Sequence, residues 1–123
     1  MTRIVKNSGF INGPILLANS IYPPQLTANQ NNYNPSGLSN CNTLFLDSSN
    51  NLSITGIAAQ EQGRIIYIFN TSGSFNIKLT ANDTGSLPAN RFLMATDATL
   101  AKNESCIIIY DSVSLRWRLV ARF

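Results

Sequence analysis

The chain has 123 residues, of which 44% are hydrophobic and only 12% charged, and nine Lys or Arg against six Asp or Glu leave a net charge of +3. A charged fraction of about 25% is usual for a soluble domain, and here Asn, Ser and Thr fill the gap. The basic residues are scattered, which argues against a nucleic-acid footprint, and no apolar run is long enough to cross a bilayer or to serve as a signal peptide. Neither nucleic acid nor membrane is expected as a partner. Length suits one domain plus a short extension.

Residues 1–24 are expected to form an extended N-terminal arm. Gly9, Gly13-Pro14 and Pro23-Pro24 interrupt any regular element. The same segment carries Ile4, Val5, Phe10, Ile11, Ile15, Leu16, Leu17, Ile21 and Tyr22. That much apolar surface has to pack on something, so these side chains, with Tyr33, are the expected assembly interface. Next comes the polar stretch Asn29-Gln30-Asn31-Asn32-Tyr33-Asn34-Pro35. It is too polar for a core and is expected at a sheet edge or turn, its amides bonding exposed backbone or an adjacent chain. Tyr33 is its sole aromatic side chain.

From residue 25 onward short strands recur. They are expected at Thr43–Leu46, Leu52–Ile57, Arg64–Asn70, Phe75–Thr80, Arg91–Met94, Cys106–Asp111 and Arg116–Ala121, each bounded by turn-forming residues. Alternation puts Phe75, Ile77 and Leu79 on one face and Asn76 and Lys78 on the other. Arg64–Phe69 and Cys106–Tyr110 are apolar on both faces, as central strands are. Asn70–Ser74 and Asp111–Leu115 are expected as hairpin loops. Asp97–Glu104 fits either a strand or a turn, and no internal repeat stands out. Strands at roughly ten-residue spacing argue for an all-β fold, a compact sandwich of jelly-roll type over residues 25–123.

The chemistry open to the chain is narrow. Histidine is absent, which removes Ser–His and Cys–His nucleophile pairs and the commonest general base and metal ligand. Cys41 and Cys106 cannot supply a structural zinc site by themselves. Both are expected as reduced thiols, Cys106 buried, with a bridge between them left to geometry. The six carboxylates, Asp47, Glu61, Asp83, Asp97, Glu104 and Asp111, all fall in or beside expected turns. Oxygen ligands cluster at Asp47, Asn50 and Asn51, where an Asx-type turn accounts for the same residues as a calcium site would. No enzyme, cofactor or metal is expected. Arg116-Trp117-Arg118 has interface-type composition and supplies candidate contacts to a neighbouring subunit or a ligand. Alternation offers a structural role beside that one, with Trp117, Leu119 and Ala121 inward and Arg116 and Arg118 outward toward Asp111.

A set of segments in order carries a resemblance. They are Leu26–Ser39, Ile54-Thr55-Gly56-Ile57, Gly63-Arg64, Asn70–Ile77, Ala89-Asn90-Arg91-Phe92, Tyr110-Asp111-Ser112 and Arg116-Trp117-Arg118. Together they span most of the chain, and the block from Leu26 to Arg118 resembles a module of tailed-bacteriophage structural proteins found in tail fibres, baseplates and head surfaces. The resemblance implies a non-enzymatic virion part, commonly a homotrimer. A chain made of the module and a short arm suits a capsid decoration or cement protein. Its expected partner is the major capsid protein, its place the outer capsid surface after synthesis in the host bacterial cytoplasm. The alternative is a tail fibre or baseplate part that recognises host glycan or serves as an adaptor.

Overall fold

The computed structural model describes residues 19–123. Among these the fold is all-β, with no α-helix. The strands are β1 (Ser20–Ile21), β2 (Thr43–Leu46), β3 (Leu52–Ile54), β4 (Ile65–Asn70), β5 (Ile77–Leu79), β6 (Phe92–Leu93), β7 (Ala98–Leu100), β8 (Ser105–Asp111) and β9 (Arg116–Arg122). Every segment expected to be extended contains one of them, and the ambiguous stretch after Asp97 supplies β7. They form a six-stranded sheet, β1-β2-β4-β8-β9-β6, and a three-stranded sheet, β3-β5-β7. One apolar core lies between, built from Leu44, Leu46, Ile54, Ile66, Ile68, Ile77, Leu79, Phe92, Ile108 and Trp117 among others.

The strand order is not that of a jelly roll, whose strands are antiparallel. Most ladders among the described residues are parallel: β1 with β2, β2 with β4, β3 with β5, and β6 with β9. The reason is that the first half of the chain winds as a coil. Ser20 lies beside Thr43, and Thr43 beside Tyr67. On a second side Gln30 lies beside Ile54, and Ile54 beside Leu79. On a third side Tyr33 meets Ile57. The step along the chain is nearly the same in every case. Parallel strands need a long connection, and here the rest of each turn of the coil provides it. The structure therefore does hold a repeat, contrary to the expectation from sequence. Ile21, Leu44 and Ile68 occupy one position of successive turns, and Tyr22, Phe45 and Phe69 the next.

After β5 the winding stops. β7 runs antiparallel to β5, β8 antiparallel to β4, and β9 antiparallel to β8. The hairpin expected at Asp111–Leu115 joins β8 to β9, with Asp111 opposite Arg116. The one expected at Asn70–Ser74 does not exist, because β4 and β5 belong to different sheets. That segment is instead a corner of the coil. Asn70 fixes it from inside: its amide nitrogen donates to the carbonyls of Phe75 and Leu100, both at 2.8 Å, and its amide oxygen accepts from the Ser72 amide and hydroxyl. A buried polar group is tolerable when its bonds are all made, and Asn70 meets that condition.

The Asn-rich composition has the same explanation. Asn29 Oδ1 accepts from the Ser53 amide and Asn51 Oδ1 from the Asn76 amide, each bond linking one turn of the coil to the next. Asn32, Asn82 and Asn103 take positive φ values, a conformation that Asn tolerates better than most residues. The expected edge role of the 29–35 stretch holds, with its amides bonding backbone of the same chain.

Residues 19–24, expected in the arm, are among the described residues. Ser20 and Ile21 pair with β2, and Ile21 packs against the core. These residues belong to the body, and the part of the expected arm before residue 19 lies outside the described residues.

Gly56 sits where the 82–91 loop crosses the coil. A Cβ there would lie 2.5 Å from the Asn90 carbonyl oxygen and 2.6 Å from Ser86 Oγ. Both belong to a bonded cluster: Ser86 Oγ accepts from the Asn32 amide and shares a hydrogen bond with Thr55 Oγ1, and the Asn90 carbonyl accepts from the Ile57 amide. Gly56→Ala is therefore expected to lower the unfolding free energy by about 1–3 kcal/mol, the usual range for overpacking a close-packed site. Urea denaturation checks this, with Gly73→Ala as a control because a Cβ there meets nothing within 4 Å.

Candidate functional site

Strand alternation gives the larger sheet two unlike faces. Ile66, Ile68 and Asn70 of β4 and Cys106, Ile108 and Tyr110 of β8 are buried. Their neighbours Ile65, Tyr67 and Phe69, and Ile107 and Ile109, point the other way and are half-buried or exposed. The register puts Ile65 opposite Ile109 and Tyr67 opposite Ile107. β2 adds Phe45 opposite Phe69, ring centroids 5.2 Å apart, and Tyr22 stacks on Phe45 at 4.6 Å. Tyr22 is 73% exposed. The result is a continuous aromatic and aliphatic surface with no charged side chain at its centre. At one margin Arg118, opposite Ile109, is held by Asp111 at 2.8 Å.

The outer face of the small sheet is its opposite in chemistry. Asn51, Leu52, Ser53, Asn76, Lys78 and Thr99 line a shallow groove of about 300 Å³. Lys78 lies 3.9 Å from Asp97 beside it. The alternation expected for this strand is found: Ile77 and Leu79 are buried and Asn76 is exposed.

The residues expected to make assembly contacts scatter. Ile4, Val5, Phe10, Ile11, Ile15, Leu16 and Leu17 lie outside the described residues. Ile21 packs on the core, and Tyr22 belongs to the aromatic face. Tyr33 is 7% exposed, so its ring has no surface to offer a neighbour, and the expectation for it is corrected. Its hydroxyl is buried without a hydrogen-bond partner, and burial pushes its pKa up to about 12.

The Arg116-Trp117-Arg118 group divides in the same way. Trp117 is fully buried, packs edge-on against Tyr110 at 5.1 Å, and donates from Nε1 to the Ile57 carbonyl at 2.9 Å. It is a core residue and not a ligand platform, as the structural reading of the alternation had it. Arg118 faces outward and pairs with Asp111, while Arg116 donates to the Leu115 carbonyl. Leu119 packs against the core, but Ala121 does not follow it inward. A register shift at Ile107/Ile108 puts Ala121 opposite outward-facing Ile107.

Phe45, Ile65, Tyr67, Phe69, Ile107 and Ile109 were not expected at a site. Their signal was present, since β4 and β8 are apolar at every position of their middles. Central strands of that kind suggest cover on both faces, and here the described residues leave one face half-exposed.

The reactive groups are occupied locally. Asp83 Oδ1 accepts from the Gly85 amide, Asp97 Oδ1 from the Ala81 amide, and Glu104 Oε1 from the Ala101 amide. Asp47 Oδ1 accepts from the Ser48 amide and Asn50 Oδ1 from the Asn51 amide. Among the described residues no three His, Cys, Asp or Glu side chains gather as metal ligands would. Both cysteines are buried and unbridged. Burial pushes the Cys106 thiol up to about 12, and raises Cys41 against the opposing pull of Arg64. Neither is a ready nucleophile, because the thiolate is the reactive form.

No family model, no curated protein and no solved structure matches this chain.

Asp111 offers a clean local test. Its side chain accepts from Arg118 Nε at 2.8 Å, from Ser114 Oγ at 2.9 Å, and from the Val113 amide at 3.0 Å. The Arg118 bond first, then the Ser114 bond, hold its pKa down at about 2. A depressed carboxylate contributes stability above its ordinary pKa and loses it as the pH falls through the folded value. The β8–β9 turn should therefore stay ordered at pH 4 and loosen toward pH 2. Carboxyl NMR titration should place the Asp111 midpoint well below 3.8, and Arg118→Ala should move it upward.

Proposed function

We propose that this protein is a structural part of a bacteriophage virion, most specifically a capsid decoration or cement protein. On this reading it binds the outer head surface as a homotrimer, contacts the major capsid protein, and strengthens the seams between capsomers. The observation that carries the reading is the aromatic and aliphatic outer face of the six-stranded sheet, which the described residues leave half-exposed, on a chain with few charges. Contiguous apolar patches of this kind mark association surfaces. The segments from Leu26 to Arg118 that resemble phage structural modules supply the setting.

The physics suits the task. A packaged genome pushes the shell outward, and a small oligomer that touches several capsomers adds contact area across each seam. Contacts made by one tethered oligomer reinforce one another, so weak single contacts suffice. On the same reading the apolar residues before position 19 supply contacts between chains.

A tail fibre or baseplate part is the second reading, and one feature favours it. The groove beside Asn51, Ser53, Asn76, Lys78 and Thr99 presents amides, hydroxyls and an amine, groups that suit a hydroxyl-rich host glycan.

Cryo-microscopy of the intact virion tests both. Density for this chain on the head lattice is the expected result, and density confined to the tail overturns the decoration role. Removing residues 1–18 keeps β1 intact and should reduce occupancy on purified heads severalfold. Occupancy equal to that of the full chain rejects the arm's part. Saccharide binding by the purified protein on a glycan array would favour the second reading.

A further inference from the structure

We draw no further inference here: the strongest candidate, the aromatic and aliphatic outer face of the six-stranded sheet around the cross-strand pairs Ile65–Ile109 and Tyr67–Ile107, carries nothing beyond the proposed function because nothing in the structure shows what covers it.

Discussion

The structure depends on a single constraint, that each turn of the coil hydrogen-bonds to the next in parallel register. Parallel register stacks equivalent positions, so an inward apolar residue in one turn meets another in the next. Ile21, Leu44 and Ile68 stack on one side, and Ile54 and Leu79 on another. Burial of such rows, at about 25 cal/mol per Å² of apolar surface, is the main favourable term. The same register stacks outward positions as well. Tyr22, Phe45 and Phe69 form an outward row for the reason that Ile21, Leu44 and Ile68 form an inward one. That row of the outer face is thus a product of the winding, and antiparallel β8 adds Ile107 and Ile109 beside it.

Corners of a coil expose backbone that no ladder satisfies, and polar side chains serve it. Asn70 closes one corner from within. Arg64 fills another, its guanidinium donating to the Leu38, Ser39 and Cys41 carbonyls around the short 3-10 turn at Leu38–Asn40. Thr55, Ser86, Asn32 and Asn90 knit the third. Buried polar groups with every bond made rigidify a fold and select one packing. Tyr33 is the exception among them, with its hydroxyl unsatisfied.

The strands were legible in the sequence and their partners were not. Alternation of apolar and polar residues tells which face a residue occupies, and it placed Ile77, Leu79 and Trp117 correctly. It is silent on whether the adjoining strand runs parallel or antiparallel. Asn70-Thr-Ser-Gly-Ser has the chemistry of a hairpin loop, and a coil corner uses the same chemistry. The repeat is hidden in the sequence because its turns share geometry more than identity: Ser20, Thr43 and Tyr67 are equivalent by register alone. The signal is the row Tyr22, Phe45 and Phe69, whose spacing changes by one residue between turns. The outer face was missed for a related reason, since apolar residues on both faces of β4 and β8 were assigned to burial within one chain. Tyr33 was misplaced because its neighbours are amides, and the burial of one ring among them follows from its meeting Ile57 across turns.

The winding has one more consequence. Because β1, β2 and β4 follow one another at a nearly fixed interval, duplicating one such stretch would add a storey about 4.8 Å high and leave the β8–β9 closure untouched. The height of the coil is in that sense set by the number of its storeys, independently of the β8–β9 hairpin that ends it. Solenoid architectures change length in this way, by gaining or losing one storey.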